Sequence, residues 1–177
     1  MHGFPWVNGA ILAGCAFFSY PGQAYVLTGL MLFLPFLDRR WNIPAIDSRA
    51  INIAIWAILV ITTGSLLAWQ PRYVSFATST LLFAALPEEW FFRAYFMTRL
   101  GTGWQANLIT SLVFALLHGL VWGPTTAILV FIPSLLFGWL YQRSRDLILL
   151  VLVHALSNLI FILFLADLPT WLKPSAV

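Results

Sequence analysis

Apolar runs close to the ~20 residues needed to cross a hydrocarbon core recur from one end of this chain to the other. They cover 6–20, 23–37, 51–69, 74–98, 105–120, 124–141 and 147–166. Each ends at a breaker or a charge: Pro21-Gly22, Asp38-Arg39-Arg40, Gln70-Pro71-Arg72, Arg99, Gly123-Pro124, and the stretch from Arg143 to Asp146. Only 8% of the residues are charged, against about 25% in soluble domains, so a water-facing surface cannot be covered. In lipid every backbone polar group must be satisfied internally, which makes these runs helices. The expected fold class is all-α: a polytopic transmembrane helix bundle of six or seven spans, one membrane domain over 1–177. The first two runs are short and form either a tight hairpin broken at Pro21-Gly22 or one long kinked helix.

A net charge of +3 and a pI near 9.4 do not point to nucleic acid, because the basic residues sit between apolar runs, where they set topology. With loop 38–50 in the cytoplasm, alternation puts Arg39, Arg40, Arg49, Arg99, Arg143 and Arg145 on that side and only Arg72 and Lys173 on the other. That bias predicts an extracytoplasmic C-terminus and membrane lipid as the surrounding partner. The nine Trp residues, several near span ends, fit interfacial belts. Cys15 is the single cysteine, so no intrachain disulfide or cysteine-based metal site is available. Leu12-Ala13-Gly14-Cys15 has the look of a lipoprotein cleavage box, but no Lys or Arg precedes it. It reads better as a small-residue stretch of a helix.

Five ionisable residues fall inside the runs: Glu88, Glu89, Arg93, His118 and His154, with Asn158 as an amide companion. A carboxylate at the bilayer centre costs about 2.5–3.5 kcal/mol on the lenient insertion scale, so two in succession need partners or a wet pocket. Glu89 and Arg93 stand at i and i+4 with the acid N-terminal, the favourable order for an ion pair. Phe114 and His118 are four apart on the next span, as are His154 and Asn158 on the last. Rise along each helix puts Glu88 about 16 Å from Arg99, His118 about 21 Å from Trp104 and His154 about 10 Å from Leu147. Tilt absorbs those differences, so a joint site in one slab of the membrane is geometrically allowed. Taken singly, each residue has a structural explanation: a packing histidine, interhelical amide glue, a structural ion pair. Taken jointly, three unrelated costly placements at one depth are harder to explain that way.

Glu88-Glu89-Trp90-Phe91-Phe92-Arg93, Phe114-Ala115-Leu116-Leu117-His118 and His154-Ala155-Leu156-Ser157-Asn158 read as E-E-x-x-x-R, F-x-x-x-H and H-x-x-x-N. In this order the chain resembles the CAAX-protease and bacteriocin-processing family of intramembrane glutamic endopeptidases. Its short length is closest to the small bacterial members. The likeness covers about 74–166, the expected catalytic core, and leaves the N-terminal helices 6–69 as the variable part. The resemblance implies a helical bundle around a hydrophilic cavity and peptide hydrolysis without a covalent intermediate. It implies Glu88 as the base that activates water and His118 as the residue holding that water. His154 and Asn158 would form the oxyanion hole, and Glu89 with Arg93 would orient the site. It further implies a membrane-anchored peptide or protein substrate, of a maturation or sorting-tag type, and a bacterial inner membrane. The family also holds bacteriocin-immunity proteins.

The residues carry a similar division without the name. Adjacent carboxylates on a helix point about 100° apart, so Glu88 and Glu89 should hold different jobs. Pairing with Arg93 fixes Glu89 and frees Glu88 as the base. No cofactor is expected. A competing arrangement places zinc on Glu88, His118 and His154 with an open water position, although no H-E-x-x-H pair occurs. No Ser sits in a G-x-S-x-G turn. Two other classes compete with an enzyme: a non-catalytic scaffold or immunity protein, and a proton-coupled transporter in which the Glu and His residues relay protons.

Overall fold

The computed structural model describes residues 3–45 and 49–165. Among them the chain is helical throughout, with no strand. The helices are α1 (Phe4–Phe17), α2 (Gln23–Phe33) with a 3-10 turn over Leu34–Leu37, α3 (Ala50–Trp69), α4 (74–100), α5 (Trp104–Trp122), α6 (Pro124–Ser144) and α7 (Leu147–Ile160), which runs on through a π turn at Phe161–Leu165. By length and composition α3, α5, α6 and α7 can cross a membrane, while α1 and α2 are shorter apolar helices. The predicted runs thus appear as helices with ends moved by a few residues. Lys173 and the C-terminus, on which the expected orientation draws, lie outside the described residues.

The first pair is a hairpin and not one kinked helix. Gly22 takes φ +80°, a conformation that suits a residue without Cβ. Gln23 Nε2 reaches back to the carbonyls of Cys15, Ala16 and Phe18 at 3.1, 3.0 and 2.9 Å, capping the end of α1. Asn8, an unremarked polar residue in the first run, is 1% exposed. Its amide donates to Leu34 O (3.0 Å) and to the Tyr95 hydroxyl (2.8 Å), pinning the hairpin to α4. Leu12, Ala16, Leu34, Phe91, Phe96 and Leu117 close the core between these elements. α3 is different: none of its most apolar stretch is buried, and Ile51, Ile53, Ile58, Val60 and Ile61 point outward. An outer face of that kind is what lipid solvates.

α4 holds the costly residues, and its backbone departs from the α-helix twice, with π-helical stretches at Leu81–Ala85 and Trp90–Met97. The first has a readable cause. Pro87 has no N–H to give the carbonyl of Phe83, four residues earlier. The Thr28 hydroxyl of α2 supplies that bond instead, at 3.0 Å, and the Leu86 N–H goes back five residues to Leu81 O. In the second stretch the Thr98 N–H bonds Tyr95 O. Ala94 O is then free to accept from Trp41 Nε1 at 2.9 Å and the Thr98 hydroxyl at 2.7 Å. Such single-turn widenings re-aim side chains and gather at functional positions. Several Trp residues fasten helices through their indole N–H as well as flanking spans: Trp90 donates to Leu32 O at 3.2 Å and Trp56 to Asp146 Oδ2 at 2.8 Å.

α5 and α6 form the tightest pair. Asn107 Nδ2 donates to Leu135 O at 2.9 Å and Asn107 Oδ1 accepts from Ser111 Oγ at 3.2 Å, directly over Gly138. A Cβ at Gly138 would run into the Asn107 amide. Gly138→Ala is therefore expected to destabilise the bundle by about 1–3 kcal/mol, the usual cost of overpacking. Adding Asn107→Ala should restore part of the lost melting temperature. A single Gly138→Ala variant that melts like wild type would contradict this packing.

Candidate active site

The two π stretches of α4 bracket Glu88 and Glu89 and turn them toward different neighbours. Glu89 is fully buried, and its Oε1 accepts from Arg93 Nη1 at 3.2 Å and meets His154 Nδ1 of α7 at 2.7 Å. Glu88 is 14% exposed in its side chain, with Oε1 3.8 Å from His118 Nε2 of α5 and Oε2 3.8 Å from His154 Nε2. Five of the six expected residues thus meet where α4, α5 and α7 converge. Asn158 lies one turn beyond His154, half-buried, and its side chain makes no hydrogen bond to the others.

Hydrogen bonding fixes how the imidazoles face. His118 Nδ1 lies 3.0 Å from the carbonyl of Phe114, which only accepts, so Nδ1–H is the donor. His154 Nδ1–H likewise donates to Glu89 Oε1, the oxygen that also accepts from Arg93. In the neutral rings both Nε2 lone pairs then look toward Glu88 across gaps too long for a direct bond. Three acceptors facing one another at such distances are matched by a molecule with two donors, as water is. Among the described residues no three His, Cys, Asp or Glu side chains form a group able to hold a metal ion.

Arg93 is as buried as Glu89, and its remaining contacts come from Phe114 of α5 and from α6, a helix for which the sequence suggested no role. Nη2 donates to Ser134 Oγ at 2.8 Å and to Ser134 O at 3.2 Å. The guanidinium lies 4.8 Å from the Phe114 ring and 5.9 Å from the Phe137 ring. Phe114 also packs on His118 at 4.2 Å between centroids, and Phe137 on His154 at 5.1 Å. The phenylalanine of F-x-x-x-H therefore holds its histidine twice, by ring and by carbonyl. Neither Ser134 nor Phe137 of α6 stands out in an apolar run as a partner of the site. Glu89 Oε2 and Arg93 Nε are buried without hydrogen-bond partners among the described residues.

Two hollows, of about 480 and 220 Å³, open elsewhere, beside Arg40 and Arg99. A family model, described as type II CAAX prenyl endopeptidase Rce1-like, matches residues 68–160. No curated protein and no solved structure matches the chain. The matched stretch starts at the end of α3, runs through α4 to α7, and takes in more than half of the sequence. With its apolar helices of spanning length, the chain is an integral membrane protein and belongs to the Rce1-like family of CAAX prenyl endopeptidases, which are proteases.

Proposed function

We propose that the protein hydrolyses a peptide bond of a membrane-associated substrate, with water activated by Glu88. The observation that carries this reading is the pair of 3.8 Å gaps that set both imidazole Nε2 atoms against opposite oxygens of one carboxylate. A water seated there gives one proton to Glu88 and is oriented by His118. Its oxygen attacks the scissile carbonyl carbon, and Glu88 returns the proton to the leaving amine as the C–N bond breaks. Glu89 orients the His154 ring through Nδ1, and His154 with the Asn158 amide forms the oxyanion hole. Arg93, fixed by Ser134, keeps Glu89 in place.

The bundle is read as six or seven spans, with α4 lining a polar cavity that admits substrate to Glu88 and His118. The single unit spans 1–177, its catalytic part about 74–166. The basic end carrying Arg39, Arg40, Arg49, Arg99, Arg143 and Arg145 faces the cytoplasm, and the membrane is read as a bacterial inner membrane. The substrate class that follows from the family model's description is a protein or peptide anchored by a lipid near its C-terminus.

Asn158→Ala should lower kcat by about 10²–10³-fold with KM little changed, since an oxyanion donor acts only in the transition state. Equal loss in both constants, or none, removes Asn158 from this role. The function itself is tested by reconstituting the protein with a pool of membrane-associated peptides and finding new termini by mass spectrometry, with and without chelator. Cleavage that survives chelation supports Glu88-activated water, and chelator-sensitive cleavage supports zinc on Glu88, His118 and His154. No cleavage, with pH-driven flux into liposomes, establishes a carrier instead.

A further inference from the structure

The larger hollow, about 480 Å³, is walled by the segment after α2, the end of α4 and the end of α6. Three guanidinium-bearing residues line it, Arg40, Arg99 and Arg145, together with Trp41, Thr98 and Tyr141. Only one of the three arginines is neutralised: Arg99 Nε donates to Asp38 Oδ2 at 2.7 Å. Among the described residues no carboxylate lies within ion-pair distance of Arg40 or Arg145, and the nearby Asp146 is spent on Trp56 Nε1 and the Leu149 N–H. Arg145 is held in place by a left-handed backbone, φ 55°, at the end of α6. The hollow is of ligand-binding size, it lies at the end of the helices, and two of its three guanidinium groups have no ion-pair partner among the described residues. Topology alone asks only that these arginines lie on one side of the membrane. It does not ask that they line one hollow.

We propose that this hollow is a site for the phosphate of an anionic phospholipid, separate from the Glu88 site. Guanidinium groups pair with phosphate oxygens in a planar fork, and basic pockets between membrane helices hold anionic headgroups. A lipid is favoured over a free phosphate by the adjoining hollow of about 220 Å³, which shares Arg40 and Arg99 and adds Arg39, the Asp38 carboxylate already paired with Arg99, and the apolar Phe4 and Leu37. Those two side chains are 48% and 60% exposed, beside the charges, as a headgroup with its acyl chains requires. One wall is α4 itself: Ala94 follows Arg93, and its carbonyl is the one Trp41 holds. A bound headgroup therefore steadies the same π-helical stretch that carries Arg93.

The test uses the whole protein in nanodiscs of phosphatidylcholine with or without phosphatidylglycerol, reading lipid retention by native mass spectrometry. Wild type should keep phosphatidylglycerol, and Arg40→Gln/Arg145→Gln should weaken retention by roughly tenfold or more, as two interfacial cations are removed. Arg143→Gln, an exposed cation of the same end outside the hollow, should leave it unchanged. Wild type and Arg143→Gln should gain melting temperature from phosphatidylglycerol and Arg40→Gln/Arg145→Gln should not, while all three match in pure phosphatidylcholine. Equal retention by the double variant, or an equal loss in Arg143→Gln, overturns the site. Inorganic phosphate and glycerol 3-phosphate at millimolar concentration should not displace the lipid. Displacement with the same arginine dependence overturns the lipid assignment in favour of a soluble phosphate.

Discussion

Glu88→Gln should cut peptide cleavage by about 10²–10⁴-fold, the range a positioned general base supplies, while the protein still accumulates and melts as wild type. The two halves of that expectation have separate causes. Gln keeps the shape of the side chain but cannot take a proton from water. Folding is spared because Glu88 makes no short bond in the resting site: its nearest imidazole nitrogens stand 3.8 Å away, and 14% of its side chain is exposed. Removing its charge leaves no ion without its partner. His118→Ala should lose activity with Glu88→Gln and add little in combination with it, because both act on the same water. Retained cleavage in Glu88→Gln, or loss that tracks loss of folded protein, contradicts the assignment.

Arg93→Met should behave in the opposite way, failing in stability before it fails in chemistry. The guanidinium is fully buried, bonded to Glu89 and Ser134 and packed on Phe114. Deleting it strands a buried carboxylate with His154 as its only remaining partner, and breaking a buried pair from one side costs about 3–5 kcal/mol. The expected result is a large fall in steady-state level and melting temperature. Replacing both members, Glu89→Leu with Arg93→Met, should recover much of that loss, since neither charge is then left unpaired. It should not recover activity, because His154 Nδ1–H loses its acceptor and the ring its fixed orientation. An Arg93→Met protein as stable as wild type would show that the pair is not shielded as described.

Much of this arrangement was legible in the residues because lipid makes polarity expensive. Glu88, Glu89, Arg93, His118 and His154 were identifiable as ionisable groups within apolar runs, and the four-residue spacing of Glu89 and Arg93 matched the observed ion pair. Other parts were not readable. Periodicity cannot report that Pro87 and Thr28 together widen α4, because the compensating hydroxyl lies on a helix distant in sequence. Ser134 carries no charge and looks like any small residue of a membrane helix, so its grip on Arg93 emerged only from the packing of α6. Asn8 and Asn107 were equally silent, each a neutral amide whose partners are carbonyls or hydroxyls of other helices. The hairpin of α1 and α2 rests on Gln23 and Gly22, which length and hydropathy alone do not resolve.

The most direct test is whether Glu88 meets His118 and His154 across three helices in a membrane. In a Cys15→Ser background, cysteines at 88 and 118, or at 88 and 154, would be treated with a short bis-maleimide in intact membranes, with 88 and the outward-facing Leu136 as control. Efficient intramolecular linkage of both site pairs, and not of the control, is the predicted result. Linkage of neither site pair in folded protein would place the imidazoles away from Glu88 and remove the water-binding pocket on which the hydrolase reading stands.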